Sequence, residues 1–107
     1  MRVSIENYFA NVGKSAKDNW QLLDKAEPHD IWFHLDNTSS PYVILEVKNF
    51  DTIPTSVIRE CANLCKGNSK NKKDVNTTVI YTEVSNLKKG DKIGSVYLTS
   101  TPNKIVV

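Results

Sequence analysis

Apolar and polar positions alternate most cleanly between Asp30 and Val47. Ile31, Phe33 and Leu35 point one way and Asp30, Trp32 and His34 the other, the period of two that marks a strand. Asn37 to Pro41 is turn chemistry. A second strand follows from Tyr42 to Val47, with Val43, Leu45 and Val47 on one face and Tyr42, Ile44 and Glu46 on the other. The helical period appears twice. Ser15-x-x-Asp18 resembles a capping box with Asp in place of Glu, and Ala16, Trp20 and Leu23 follow at helical spacing with Leu22 beside them. That helix should stop before Pro28. In the second, Pro54 suits the first turn, Val57, Cys61 and Leu64 form one apolar row, and Ile58, Ala62 and Cys65 form its neighbour. Lys66, Gly67 and Asn68 end it.

The remaining pattern predicts short strands. Val3 to Ile5 and Tyr8 to Val12 flank a Glu6-Asn7 turn, and Thr77 to Thr82 is rich in β-branched residues. Ser95 to Thr99 and Lys104 to Val107 flank Thr101-Pro102-Asn103. Ser69 to Asn76 and Asn86 to Gly94 read as polar, basic loops. Short turns between neighbouring strands favour antiparallel pairing. The expected fold is α+β: a mainly antiparallel sheet with two helices packed on one face, in two layers. Ile31, Phe33, Leu35, Val43, Leu45, Ile58, Cys61, Leu64, Val79 and Val96 should form one core. The other face is then free to bind, and carries a patch of Trp32, His34 and Tyr42.

Length and composition narrow the class. The 107 residues, 39% hydrophobic and 24% charged, suit a single domain spanning residues 1–107. No apolar run approaches the roughly 20 residues of a membrane span, and the N-terminal stretch lacks the apolar region of a signal peptide. A cytoplasmic protein is expected. Cys61 and Cys65 read as small buried apolar side chains, and His29 and His34 complete no zinc spacing with them; no metal or cofactor is expected.

Charge changes the picture more. Residues 1–58 carry a net −3 and residues 59–107 a net +5. The positive groups gather at Arg59 to Lys73 and at Lys88 to Lys92. Such a segment is either a solvated surface or an electrostatic footprint for phosphate. Lys72 and Lys73, and Lys88 and Lys89, are the candidate phosphate partners. Trp32 reads either as a cover for the sheet or as a platform on which an unpaired base stacks. His34 either bonds a neighbouring strand or serves that patch. Asn19 meets nucleic acid or caps a backbone group, and Asp30 holds a turn. His34 with Asp30 or Asp36 suggests acid–base chemistry, yet no nucleophile–base pair, phosphate-cradling glycine loop or Mg²⁺-type carboxylate cluster accompanies it. No enzymatic activity is expected. The alternative to nucleic-acid binding is a module that docks on a ribosomal or other protein surface.

Several motifs, in order, resemble a known family. They are Gly13-Lys14 followed by Asn19; Asp30-Ile31-Trp32-Phe33-His34; Ser39-Ser40 and Val43; Cys61-Ala62-Asn63-Leu64 with Lys66-x-Asn68-Ser69; and Tyr81-Thr82, Ser85-Asn86-Leu87-Lys88-Lys89 and Gly94. From about Gly13 onward the chain resembles the NFACT RNA-binding domain, most of all its stand-alone eukaryotic form. The resemblance implies RNA contact of the transfer- or ribosomal-RNA type, as in ribosome quality control, with single-stranded DNA and the ribosome as further partner classes. It adds Lys14 and Asn19, and with Lys70 from the basic segment these join the candidate RNA-binding set of Trp32, His34, Tyr42, Lys72, Lys73, Lys88 and Lys89. Two features depart from the family. Tyr42 stands where a His is usual, and the stand-alone relatives continue into a charged coiled coil beyond the point that corresponds to Val107.

Overall fold

The computed structural model describes residues 1–48 and 51–107. Strands β1 (Arg2–Ile5) and β2 (Tyr8–Val12) form the expected hairpin, with Glu6 in the left-handed region at its turn. Helix α1 (Ala16–Lys25) starts as the sequence suggests. The Ser15 hydroxyl accepts from the Asp18 N–H at 3.1 Å, and the Asp18 carboxylate accepts in return from the Lys14 N–H at 2.8 Å. Strands β3 (Ile31–Leu35) and β4 (Val43–Glu46) pair antiparallel. Helix α2 (Thr55–Gly67) follows Pro54 and ends at Asn68, whose side-chain amide donates to Leu64 O. Then come β5 (Thr78–Glu83), β6 (Leu87–Lys89), β7 (Val96–Leu98) and β8 (Asn103–Val106).

Six strands make one antiparallel sheet in the order β1-β2-β4-β3-β5-β8, and β6 and β7 form a separate two-stranded hairpin. The α+β class and the antiparallel sheet stand as expected. Strand β6 lies inside the segment read as a loop. Its residues pair with β7 in the register Leu87↔Leu98 and Lys89↔Val96, and three residues are too few for periodicity to reveal.

The strand register also stands as expected. Phe33, Leu35, Val43, Leu45 and Val79 share one face, and α2 covers it with Val57, Ile58, Cys61, Ala62 and Cys65. Ile31 and Leu64 pack at its margin. The helices, however, do not share that face. The opposite row of Trp32, Tyr42, Ile44 and Ile80 is itself apolar and forms a second buried cluster. Leu22 and Leu23 of α1 and Ala26 just after it cover it, together with Val84, Leu87 and Val96. Val96 therefore belongs to this second core rather than to the first. The physical reason is that a row of four large apolar side chains must be covered too, and α1 is the amphipathic element left to do it.

Trp32 and Phe33 are 2% and 0% exposed, so each is a core residue. Trp32→Ala and Phe33→Ala should each destabilise the fold by about 3–5 kcal/mol in denaturant unfolding. A Trp32→Ala loss below about 1 kcal/mol, the usual cost of a surface change, would place Trp32 outside a packed core.

Candidate nucleic-acid interface

Three segments distant in sequence are tied together at the carboxyl end of β3. The Asn19 side-chain oxygen accepts from the Tyr42 N–H at 3.1 Å, and the Gly13 N–H donates to Tyr42 O at 2.9 Å. A Cβ at Gly13 would lie 1.8 Å from Asn19 Oδ1, so only glycine lets α1 approach β2 and β4 this closely. The Tyr42 hydroxyl donates to Gly94 O, and Trp20 Nε1 donates to Ser95 O at 2.9 Å. Gly94 has φ +86°, and a Cβ there would meet Ala16 at 2.7 Å. The Gly94–Ser95 turn is thus pinned to α1 and β4, and it holds the β6–β7 hairpin over the Trp32 face.

Two hollows open beside this junction. One, of about 580 Å³, lies between the hairpin and the loop of residues 36–39, with Trp32, Tyr42 and Ile80 in its floor. The other, of about 710 Å³, is lined by Lys14, Lys70 and Lys92 and by the first residues of α1. No carboxylate lines the second hollow among the described residues. His34, Ser39, Gly94 and Ser95 line both, so the two are one groove with a cationic end and an aromatic end.

His34 sits at the join. Its ring stacks on Trp32, with centroids 5.5 Å apart and planes 6° from parallel, and meets Tyr42 edge-on at 5.7 Å. Nδ1 lies 2.7 Å from Leu35 O. A carbonyl oxygen only accepts, so Nδ1 carries the proton, and in the neutral ring Nε2 holds a lone pair. Burial lowers the His34 pKa, partly opposed by the bond to Leu35. Burial likewise pushes the Tyr42 phenol up to about 12. The floor is therefore uncharged at neutral pH. Trp32 Nε1 is sealed from solvent with no hydrogen-bond partner among the described residues, a state that costs about 1–3 kcal/mol in a core.

Of the sequence-predicted residues, the groove gathers Lys14, Asn19, Trp32, His34, Tyr42 and Lys70. Trp32 is not an open stacking platform, because α1 and the hairpin bury it. Asn19 Oδ1 is spent on the Tyr42 backbone. Lys72 and Lys73 are exposed but lie outside the groove. Lys88 and Lys89 lie in β6 and not in a free loop, again outside it. Lys89 bonds the Asp24 carboxylate at 2.6 Å and stands 5.0 Å above the Trp20 ring. Lys92 takes their place, and its signal in the sequence is its position two residues before Gly94. Asp30 holds a turn: its oxygens accept from the Glu27 N–H at 2.9 Å and the Val47 N–H at 3.1 Å.

This is an α+β module with a half-cationic, half-aromatic groove at one end of its sheet. The chain belongs to the NFACT protein RNA binding domain family, which it matches over residues 1–100. The match includes the β1–β2 hairpin, so it begins before Gly13. The chain is 40% identical over 91 residues to coiled-coil domain-containing protein 25 of Mus musculus, covering 81% of this chain and 44% of that protein. It is 34% identical over 86 residues to the Dictyostelium discoideum homolog, covering 77% and 42%. Protein JLP2 of Saccharomyces cerevisiae is 39% identical over 85 residues, covering 73% and 41%. The chain thus spans less than half the length of these relatives. In fold it is similar to the C-terminal part of the fibronectin/fibrinogen-binding protein from Streptococcus suis, with TM-score 0.89, 24% identity, and coverage of 99% of this chain and 44% of that one.

The lowered His34 pKa has a sign that can be tested. As pH falls, the unfolded chain takes up the proton first, near pH ~6.5, so stability is complete above that value and declines toward the lower folded pKa. Glu46, whose pKa the hydrogen bond from the Arg2 guanidinium lowers, loses its contribution only as pH falls from the usual carboxylate range downward, in a separate window. Unfolding free energy measured from about pH 7.5 to 5 should fall in the wild type, and less in His34→Phe. Equal slopes in the two proteins would show that His34 is not held neutral.

Proposed function

We propose that this chain is a non-enzymatic RNA-binding module, and that the groove at the carboxyl end of β3 holds an unpaired or looped stretch of RNA. The observation that carries the reading is the continuity of the two hollows. Three lysines with no lining carboxylate suit a phosphate. The neighbouring hollow, whose one lining carboxylate among the described residues, Asp36, faces Lys104 at 3.4 Å, has an uncharged aromatic and aliphatic floor that suits a base. The family's description supports RNA as the partner. Transfer or ribosomal RNA in the cytoplasm, near the ribosome, is the class that the family resemblance favours.

The neighbours of the groove support binding over catalysis. Asp30 is committed to two backbone N–H groups, Asp36 faces Lys104 at 3.4 Å, and the His34 ring bonds Leu35 O. None of these sets a base beside a nucleophile.

Binding of a fluorescent single-stranded RNA, titrated across salt concentrations, tests the groove. Replacing Lys14, Lys70 and Lys92 together by Ala should weaken binding and lower the slope of log K against log salt by about 2, at roughly 0.7 for each phosphate no longer neutralised. The pairs Lys72/Lys73 and Lys88/Lys89 should change the slope by less. Stability should hardly move, because exposed charges contribute little to folding. A slope unchanged in the triple variant would remove phosphate from this groove. Absence of RNA binding would return the surface to a protein partner.

A further inference from the structure

Four residues line both hollows, and three have their polar groups near the join committed or free to turn. Gly94 O accepts from the Tyr42 hydroxyl, and Ser95 O accepts from Trp20 Nε1. The Ser95 hydroxyl donates to Lys92 O at 2.7 Å and accepts from the Lys92 N–H at 3.2 Å. The Ser39 hydroxyl rotates, so it donates or accepts with equal ease and discriminates little. His34 is different. Its Nδ1 proton is fixed on Leu35 O, its ring is held by the stack on Trp32, and its Nε2 has no partner among the described residues and is not sealed from solvent. What it offers the groove is a lone pair in a fixed direction, and a lone pair requires a donor.

The position of His34 says which donor. In any nucleotide the sugar lies between phosphate and base. His34 lies between the lysine-lined hollow and the hollow walled by Ile80, Val96 and Leu98. A deoxyribose brings only carbon-bound hydrogen to its 2′ position there, whereas a ribose brings a hydroxyl that donates. We propose that His34 Nε2 accepts a hydrogen bond from a ribose 2′-hydroxyl, so that this groove selects RNA over single-stranded DNA of the same sequence. This rests on the reading of the groove as a nucleic-acid site and adds to it the sugar that is read.

The test compares three oligonucleotides of one sequence, with ribose, 2′-deoxyribose and 2′-O-methylribose, all carrying uracil. The methyl ether keeps the oxygen but loses the donor. Wild-type protein should bind the ribose form about three- to tenfold more tightly than either of the others, the value of one hydrogen bond. His34→Phe keeps an aromatic ring over Trp32 without the acceptor. It should bind all three alike, at the wild-type affinity for the deoxyribose form. As a reading on the unaltered protein, the ¹⁵N resonance of His34 Nε2 should shift on adding the ribose form and stay in place with the deoxyribose form. Equal wild-type affinities overturn the inference while leaving the nucleic-acid site standing. So does a ribose preference that survives in His34→Phe, or a ¹⁵N resonance that ignores the sugar. Failure to bind any of the three overturns the site itself.

Discussion

Strand β3 is hydrogen-bonded on both sides, to β4 and to β5, and the rest of the molecule follows from what that demands of its side chains. A strand inside the sheet alternates its residues between two faces, so Phe33 and Trp32, adjacent in sequence, cannot share a core. Phe33 stacks against Tyr81 at 5.4 Å under α2, and Trp32 packs edge-on to Tyr42 at 5.6 Å on the other side. Both rings are large, and leaving either in water would forfeit a few kcal/mol, about 1.5–3 for a side chain of this kind. Two covers are therefore needed. Helix α2 is one, and α1 with the β6–β7 hairpin is the other. The second cover is assembled from separate pieces and stops short of the end of β3, and the gap it leaves is the groove.

The bonds that close the second core also place the charges. Gly13, Asn19, Tyr42 and Gly94 are joined in one hydrogen-bonded series, from the start of α1 through β4 to the turn before β7. Lys14 follows the first of these residues and Lys92 precedes the last, while Lys70 arrives from the segment after α2. Three cations from three parts of the sequence thus line one hollow. Their mutual repulsion is small while they stay exposed to water, and an anion entering the hollow reverses its sign. Lys89 shows the contrast. Its charge is already met by Asp24, and so it adds little to the field that an approaching phosphate would feel.

Periodicity makes the strand faces and both helix starts legible, because a face is a property of spacing alone. The Ser15 cap, the alternation of β3 and the bond of Asp30 to the Glu27 N–H all follow from residues close in sequence. What covers a face is not a property of spacing. Trp32 reads as a candidate for the surface because nothing local shows that Leu22 and Leu23, ten and nine positions earlier, fold back over it. The same limit governs the charges. Counting lysines along the chain favours Lys88 and Lys89, but a count does not register that one of them is paired or that both lie in β6, away from the groove. Gly94 is the readable clue. A positive φ at a glycine whose missing Cβ lets Ala16 approach marks the turn that brings Lys92 to Lys14.

The groove has a direction as well as a charge. At one end, lysines and the amino end of α1 create positive potential; at the other, burial keeps the His34 ring and the Tyr42 phenol neutral. A protonated His34 would extend the positive field over the aromatic floor and replace its acceptor with a second donor. Held neutral by desolvation, it confines the attraction for phosphate to the lysine end. On the proposed reading, a strand entering the groove would be aligned before any base is read, with its backbone drawn to one side and its ring surfaces left for Ile80, Val96 and Leu98. The burial of Trp32 contributes to this indirectly, because it is the stack on Trp32 that holds the imidazole in the half-buried position where desolvation lowers its pKa.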